Sequence, residues 1–340
     1  MAKIGISDVA AAAGVSISTV SVVLNNVESA RVHPETRERI WHAANDLGYV
    51  PNSLARGLRL QRSDIIGFIS DSVATTPYAG NMILGAQEAA RASGRLLMAV
   101  DTRGDASVEE AALTSLLQLQ VDGVLYAAMY HQRLSVPEQV AKTLTVLVNA
   151  DTEDPAISSV VPDEVGGVRM AVSELLAHGH RRIGYVGSRE RIIATPMRQR
   201  AFRATMRRAG VQVPPDWVAA EMTTAYGGYQ AALRLLKRDD RPTALFCFKD
   251  TMALGVYQAA HELGIRIPDE LSVVGFDNLE LIAANALPGL TTVSLPHYEM
   301  GAWAADQLVA QITDPGTAPK QIKMLGRLHR RDSVRPPRGA

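Results

Sequence analysis

Residues 6–25 read ISDVAAAAGVSISTVSVVLN and contain two short apolar stripes separated by a single glycine. Ser7 and Ser16 are candidate N-caps, because a serine oxygen accepts hydrogen bonds from the free N–H groups of a first helical turn. Gly14 is a candidate end for the first helix, since glycine adopts the left-handed C-cap conformation without strain. The pattern predicts two helices joined by about three residues, which is the spacing of a helix-turn-helix.

A third helix is predicted from Pro34 to Leu47. Proline suits the first helical position, where its missing N–H costs nothing, and Gly48 follows the last apolar residue. Glu35 and Arg39 have the i,i+4 spacing of an ion pair. Three short helices make only a small core, and periodicity alone leaves a generic three-helix bundle open.

The rest of the chain has a different rhythm. From Asp64, short apolar runs such as 65–70 and 183–186 alternate with amphipathic helical patterns. Strands that alternate with helices predict parallel sheets with right-handed crossovers. Two such runs indicate an α/β core of two similar doubly wound subdomains, and a ligand in such a fold binds at the carboxyl ends of the strands.

Composition limits the class of protein. The chain has 340 residues, 35 Lys and Arg, 35 Asp and Glu, and one cysteine, so its formal net charge is zero. Residues 1–63 carry a small basic excess, which is compatible with DNA binding. The single Cys247 excludes a disulfide framework and is expected in the core. No apolar stretch has the length of a signal peptide or membrane span, so we expect a cytoplasmic protein without membrane contact.

Specific motifs resemble the LacI family of bacterial repressors over essentially the whole chain. Residues 6–25, TRERI at 36–40 and LGYVPN at 47–52 are similar to its DNA-binding head. HGHRRIG at 178–184 and LSVVGFDN at 271–278 are similar to its periplasmic-binding-protein-like core. The resemblance implies a head at 1–49, a hinge at 50–63 and a core at 64–340. The first core subdomain would comprise about 64–162 and 293–325, and the second about 163–292 and 326–340.

The resemblance implies that the second helix of the head enters the major groove of double-stranded operator DNA. Base edges would be contacted by Ile17, Ser18 and Val22, and phosphates by Ser16, Thr19, Ser21 and Asn25. The family usually has arginine where Val22 stands. Because valine contacts only apolar features such as a thymine methyl, we expect an operator that differs from the usual family sequence at that base pair.

The hinge at 50–63 resembles a short helix that folds when paired with its twin over the minor groove. Leu58 would be the wedge between base steps, Ala55 would permit close approach, and Arg56 would contact the backbone. Gly57 lowers the helix propensity at this point. A plain flexible linker is the alternative reading.

The resemblance also implies a small-molecule effector, most simply a sugar or sugar derivative, in the cleft of the core. Its contacts would include Arg198, whose donors suit hydroxyls or a carboxylate, and Asp277, an acceptor for sugar hydroxyls. Further contacts are implied at Asp71, Tyr78, Tyr126, Asn149, Phe246 and Asp250, although Phe246 is equally compatible with plain core and Asp250 with a helix cap. Lys249, Ala79 and Pro162 depart from the family pattern. If Lys249 faces the cleft, it favours an acidic or phosphorylated effector, and if it faces solvent, it favours neither.

The sequence therefore predicts a ligand-controlled repressor that acts as a homodimer. A dimer is expected rather than a tetramer, because the last residues show no leucine heptads. A small-molecule binding protein without DNA function is the alternative. An enzyme is disfavoured, since no catalytic constellation, Walker loop or metal-ligand spacing is present, and no cofactor is predicted.

Overall fold

The computed structural model describes residues 4–24, 32–49, 62–73, 80–134, 136–137, 140 and 142–338. Its contacts separate two compact units, Met1–Asp64 with Leu119–Val121, and Ile65–Gln118 with Asp122–Ala340. The first unit contains the predicted head, and the second is the predicted α/β core. Residues 50–61 of the predicted hinge lie outside the described residues.

In the part of the head that the structure describes there are three helices, α1 (Ile6–Ala13), α2 (Ile17–Leu24) and α3 (Pro34–Asp46). Their apolar stripes meet in one small core in which Val9, Val20 and Ile40 are fully buried. Gly14 and Gly48 both have φ of 64° and follow helices, as predicted for C-caps. The helix-turn-helix predicted from the sequence is confirmed.

Two local predictions for the head are wrong. The N-cap of α1 is Gly5 rather than Ser7, and the N–H of Gly5 donates to Oδ2 of Asp8 at 2.8 Å. The predicted pair of Arg39 with Glu35 is not among the ion pairs of the described residues. Nε of Arg39 instead donates to the carbonyl oxygen of Ala13 at 2.9 Å, so it ties α3 to the end of α1.

The core contains two six-stranded sheets. The first sheet is parallel throughout, with strand order β11-β5-β4-β3-β1-β2. Its strands are β1 (Ile65–Ser70), β2 (Leu96–Asp101), β3 (Gly123–Arg133), β4 (Thr145–Asp151), β5 (Ser158–Pro162) and β11 (Gln321–Met324). It is accompanied by the helices α4 (Gly80–Ala92), α5 (Ala106–Gln118) and α11 (His297–Thr313).

The second sheet repeats the same plan, with strand order β12-β10-β9-β8-β6-β7 and only β12 antiparallel. Its strands are β6 (Ile183–Ser188), β7 (Val218–Glu221), β8 (Ala244–Cys247), β9 (Ser272–Asp277), β10 (Thr291–Ser294) and β12 (Arg327–His329). Its helices are α6 (Glu164–Ala177), α7 (Ala194–Arg208), α8 (Ala225–Leu236), α9 (Asp250–Glu262) and the short α10 (Glu280–Ala283).

The chain passes between the two subdomains three times, after Pro162, Ser294 and Met324. These crossovers are bonded to one another. Asp163 N donates to the carbonyl oxygen of Met324 at 2.8 Å, and Arg327 N donates to Oγ of Ser294 at 3.3 Å. All of β10 lies in the second sheet, so this crossover comes two residues later than the boundary suggested at 293.

Glycines allow the closest helix contacts in each subdomain. In the first, α4 crosses α11 where a Cβ on Gly85 would lie 2.1 Å from the carbonyl oxygen of Tyr298. A Cβ on Gly301 would lie 2.0 Å from that of Met82. In the second subdomain, Gly228 and Gly255 allow an equally close contact between α8 and α9. No side chain larger than hydrogen fits at these crossings without moving a backbone.

The predicted α/β architecture is confirmed. The single Cys247 is fully buried, as expected. Among the described helices none is by itself long and apolar enough to cross a membrane, and only α1 and α2 reach that length together, as a pair bent by 104°.

Candidate functional site

The outer face of α2 is an exposed surface of the head. Ser16, Ile17 and Ser18 are exposed, and Ile17 keeps 52% of its surface although it is a large apolar residue. Thr19, Ser21 and Val22 are half-buried. The face therefore presents short polar groups and one aliphatic side chain, which suits contact with phosphates and with the edges of bases.

Ser16 fixes the beginning of α2. Its Oγ accepts from the N–H of Thr19 at 3.2 Å and lies 2.7 Å from Oγ of Ser18 and 2.8 Å from Oγ1 of Thr19. The predicted cap is confirmed, and the three hydroxyls lie together at the helix N-terminus, where partial positive charge favours an anion. Four other predicted DNA contacts, Asn25, Ala55, Arg56 and Leu58, lie outside the described residues, as does Gly57.

The core has a narrow cleft between its two subdomains, at the carboxyl ends of the strands. Its position is the one that parallel sheets predict. Both subdomains and the crossover that leads into α11 contribute residues to its lining. These residues are Met129, Tyr130, His131, Asn149, Pro162, Glu164, Ile192, Ala194, Arg198, Phe248, Lys249, Asp277, Leu295 and His297.

An irregularity in β3 forms the wall contributed by the first subdomain. The register between β3 and β4 shifts between Ala127 and Gln132. Asn149, whose φ is 57°, donates from Nδ2 to the carbonyl oxygens of Ala128 and Met129 at 3.0 Å. Such a bulge re-aims side chains, and here Tyr130 and His131 line the cleft. Nδ1 of the buried His131 has no hydrogen-bond partner among the described residues.

Arg198 is the central cation of the opposite wall. Its Nε donates to Oε2 of Glu164 at 2.6 Å, its Nη2 to Oε1 of the same carboxylate at 3.3 Å, and its Nη1 to the carbonyl oxygen of Phe248 at 2.6 Å. The guanidinium carbon lies over two rings, 4.5 Å from the centroid of Phe248 and 4.0 Å from that of Phe276. Burial opposes the charge, but Glu164 and Asp277 raise the pKa of Arg198 overall.

Asp277 lies beside this arginine and ends β9. Its Oδ1 is 3.6 Å from Nη1 of Arg198 and accepts no hydrogen bond from the residues described. Burial raises the pKa of Asp277, and the charges of Arg198 and Lys249 oppose this shift. Asp277 and Asn278 also have positive φ, 102° and 50°. Strain of this kind costs on the order of 1–3 kcal/mol and persists where the surroundings hold it, often at binding sites.

Lys249 and His297 complete the cleft. Lys249 is buried, and its Nζ lies 4.9 Å from the centroid of the Tyr130 ring, so it faces the cleft rather than solvent. His297 is the first residue of α11. Burial, together with the charges of Arg198 and Lys249, lowers the pKa of His297 to about 4. The imidazole is therefore neutral at physiological pH.

Several predicted ligand contacts have other partners in the structure. Phe246 is fully buried in an aromatic core with Tyr185, Phe202 and Phe276, and the ring that reaches the cleft belongs to Phe248. Phe246 thus fits the alternative of plain core, because it lies inside β8, whereas Phe248 follows the end of this strand.

Asp250 fits the structural alternative. It begins α9 and accepts from Thr292 Oγ1 and from Leu279 N, both at 2.7 Å. Burial and the nearby Asp277 raise the pKa of Asp250 to about 8. Neither Asp250 nor Phe246 faces the cleft.

Asp71 and Tyr126 lie in the first subdomain but are not among the cleft-lining residues. Asp71 Oδ1 accepts from Met129 N at 2.7 Å and so supports the irregular part of β3. Tyr126 donates to Glu109 at 2.6 Å, and burial and that carboxylate raise its pKa. Tyr78 and Ala79 lie outside the described residues. Of the predicted contacts in the described part of the chain, Asn149, Arg198 and Asp277 are brought together.

Sequence reasoning missed Glu164, Tyr130, His131 and His297. Glu164 had a detectable signal, because it is an acidic residue in the first turn of a helix that directly follows an apolar strand. The other three had none, since their positions depend on the bulge in β3 and on the start of α11. Among the described residues, no group of three or more His, Cys, Asp or Glu is arranged to hold a metal ion.

Comparisons with known proteins agree with this architecture. Residues 5–52 match the lacI family of bacterial regulatory proteins, and residues 172–334 match the periplasmic binding protein-like domain. The HTH-type transcriptional regulator DegA of Bacillus subtilis is 34% identical over 304 residues, which cover 88% of this chain and 89% of DegA. The ribose operon repressor of Escherichia coli is 30% identical over 329 residues, covering 96% and 98%.

Among solved structures, the complex of the transcriptional regulator CelR with cellobiose is similar. It superposes with a TM-score of 0.67 at 29% sequence identity and covers 97% of this chain and 99% of CelR. The similarity therefore extends over the head and the core of the chain alike.

Proposed function

The chain belongs to the LacI family of bacterial regulators, and from this premise we propose that it represses transcription from an operator whose occupancy is set by a sugar-like molecule in the cleft. It is a DNA-binding transcription regulator controlled by a small molecule, and not an enzyme. The observation that carries the DNA-binding half is the exposed outer face of α2, where Ser16, Ile17 and Ser18 lie at the helix start.

In this proposal the hydroxyls of Ser16, Thr19 and Ser21 contact phosphates, while Ile17, Ser18 and Val22 meet base edges. Helix α2 would act as the recognition helix, which lies in the major groove with its N-terminal residues against the bases. Asn25 and the predicted hinge contacts Ala55, Arg56 and Leu58 remain part of the proposal. Operator DNA as a partner also implies that the protein acts in the cytoplasm.

The effector is proposed to bind between the two walls of the cleft. Asn149 and His131 would contact it from the first subdomain, and Asp277 and Arg198 from the second. The support is Oδ1 of Asp277, a buried acceptor that is ion-paired with Arg198 at 3.6 Å but receives no hydrogen bond from the described residues, so a ligand hydroxyl would satisfy it. A ligand that contacts both walls favours the closed arrangement of the subdomains, and its differential affinity sets the size of the switch.

A carbohydrate is the proposed ligand class. One relative is named for the ribose operon, and the similar CelR structure holds cellobiose. The cleft adds its own support, because the rings of Tyr130 and Phe248 flank polar atoms, which is the usual composition of a sugar site.

A homodimer is proposed because a two-fold protein matches the two half-sites of a pseudo-palindromic operator. The first subdomain offers a surface for such pairing. Its edge strand β2 begins with Leu96, which keeps 61% of its surface exposed, and Leu84 of α4 keeps 46%. Light scattering after size exclusion measures the mass, and replacing Leu96 by Glu is expected to shift it towards the monomer.

The test of DNA binding is a titration of the intact protein on labelled DNA fragments from upstream of its own gene. Binding is expected to be saturable and to weaken steeply with salt, since phosphate contacts release counterions. Ile17→Ala is expected to lower the affinity at least tenfold. Asn45→Ala, an exposed change on α3, is the matched control and is expected to bind like the unmodified protein.

Effector control is tested on the same DNA after a thermal-shift screen of neutral sugars, sugar phosphates and nucleobases. A hit is expected to change DNA affinity, and Asp277→Ala is expected to abolish its effect. Ligand binding without any DNA binding would leave the small-molecule binding protein as the better reading. Sequence-independent DNA binding that no metabolite alters would contradict the proposal.

A further inference from the structure

The donors of Arg198 are mostly occupied by the protein itself. A guanidinium has five N–H groups, and its strongest partners are carboxylates that meet two of them side by side. Glu164 already takes this position through Nε and Nη2, and Phe248 takes one N–H of Nη1. Arg198 and Glu164 keep only 3% and 2% of their surfaces exposed. The face of Arg198 that would bind a ligand carboxylate is therefore filled.

Glu164 is positioned to stay there. It is the first residue of α6, directly after the first crossover, and Asp163 caps the same helix through a hydrogen bond from Gly166 N at 2.9 Å. The guanidinium carbon of Arg198 also lies over the rings of Phe248 and Phe276. An anionic ligand would have to displace a buried carboxylate from a two-point contact in order to bind Arg198 in the same way.

The charges that line the cleft also balance. Arg198 and Lys249 are the cations, Glu164 and Asp277 are the carboxylates, and all four are buried. An acidic ligand would give this site a net negative charge. A buried charge without a partner is costly because it loses its hydration. The acidic or phosphorylated effector that a cleft-facing Lys249 would favour on its own is therefore not favoured by the surrounding charges.

The polar atom left open in this wall is an acceptor. Asp277 Oδ1 is buried and lies 3.6 Å from Nη1 of Arg198, but it receives no hydrogen bond from the described residues. It requires a donor, such as a hydroxyl, and repels a second carboxylate or a phosphate. The filled face of Arg198 and the open oxygen of Asp277 thus select for the same chemistry.

We propose that Glu164 is a specificity-determining residue, a resident carboxylate that occupies Arg198 and restricts the cleft to uncharged polyhydroxyl ligands. Sugar acids and sugar phosphates are excluded at this end of the cleft. The inference rests on the proposed function only in taking this cleft as the effector site. The effector is then an uncharged molecule, and Glu164 is the residue that excludes anionic ones.

The test removes the resident carboxylate and offers a free one. In Glu164→Ala, sodium acetate is expected to fill the vacated position and to raise the melting temperature saturably, relative to sodium chloride at equal ionic strength. The unmodified protein is expected to show no difference between the two salts. Carbon-13 acetate would report the bound ion directly by NMR line broadening in the variant alone.

Glu174→Ala is the matched control. Glu174 lies on the same helix and makes the same two-point contact, with Nε of Arg330 at 2.9 Å and Nη2 at 2.8 Å. Arg330 is 70% exposed, however, so water replaces the lost partner and acetate is expected to add nothing. If Glu164→Ala folds poorly, folding that is restored by acetate but not by chloride supports the proposal equally.

Failure of acetate to rescue or stabilise Glu164→Ala would overturn the proposal, and so would acetate binding by the unmodified protein. A second arm compares matched pairs, glucose with glucuronate and galactose with galacturonate. The proposal would also be overturned if a sugar acid raised the melting temperature of the unmodified protein more than the corresponding neutral sugar does. None of these measurements involves DNA, so they fail or succeed separately from the proposed repressor activity.

Discussion

Thr292 donates its hydroxyl hydrogen to Asp250 across 2.7 Å, in buried space beneath the loop that follows Asp277. The other oxygen of Asp250 accepts from Leu279 N, also at 2.7 Å. One carboxylate thus joins the start of α9, strand β10 and the loop after β9. The position of Asp277 at the cleft depends on this arrangement.

Asp250→Ala is expected to leave two donors without an acceptor, the buried hydroxyl of Thr292 and the half-buried N–H of Leu279. Each unsatisfied donor costs about 1–3 kcal/mol, so the free energy of unfolding should fall by about 2 kcal/mol or more, measured by urea denaturation. Asp250→Asn keeps one acceptor oxygen and resembles the protonated acid that the raised pKa favours, so its loss should be clearly smaller. Equal losses for the two variants would contradict this role.

His297 is expected to make stability depend on pH. The pKa of its buried imidazole is about 4, below the ordinary value of 6.5, so between these values the unfolded chain binds the proton and the folded chain does not. The contribution of the neutral His297 to the free energy of unfolding is fully present above pH 6.5. It is lost as the pH falls towards 4, by at most about 1.4 kcal/mol per pH unit.

His297→Gln removes this titration, and the measurement is the difference between its unfolding free energy and that of the unmodified protein from pH 7.5 to 4. The raised pKa values of Asp250 and Asp277 act in the opposite direction, but they cancel in the difference. The difference is expected to be constant above pH 6.5 and to move in favour of the variant below it. A curve that stays flat throughout would contradict the assignment.

Gly301→Ala is expected to destabilise the first subdomain, although alanine normally favours a helix interior by about 1 kcal/mol. The new Cβ would lie 2.0 Å from the carbonyl oxygen of Met82, so α4 and α11 must separate. We expect a loss of about 1–3 kcal/mol in chemical denaturation. Gly80→Ala is the control, because open space surrounds Gly80 and its effect should be small. Equal stability of the two variants would refute the close contact.

Val22→Arg is expected to change which base pair the head prefers. Val22 is half-buried on α2, and arginine at this position offers two donors to guanine where valine offers none. A selection from randomised operator sites should show guanine enriched at one position in each half-site, at about 1–3 kcal/mol of discrimination. Unchanged base preference would remove Val22 from the reading surface.

The head and the general plan of the core follow from the sequence because they depend on local patterns. The glycine caps at 14 and 48, the cap at Ser16 and the alternation of strands and helices were predictable from short-range chemistry. The pattern predicts a strand at 65–70 and helices at 226–236 and 252–263, and the structure has them at 65–70, 225–236 and 250–262.

The cleft was less predictable, because its walls depend on contacts between distant segments. Tyr130 and His131 reach it only because Asn149 and Asp71 hold β3 out of register. The pairing of Arg198 with Glu164 joins residues on two helices, and no periodicity indicates it. Alternation along one strand likewise did not reveal that Phe248, and not Phe246, would reach the ligand side.

The three crossovers also have a consequence for the order in which the protein acquires its structure during synthesis. The first subdomain lacks α11 and β11, and the second lacks β12, until residues 297–329 have been translated. Neither half can bury its interior completely while the ribosome still holds this final segment. Both halves are therefore expected to reach their native state late and together, so a nonsense mutation that removes residues 297–329 should cost the cell the entire sensor rather than one lobe of it.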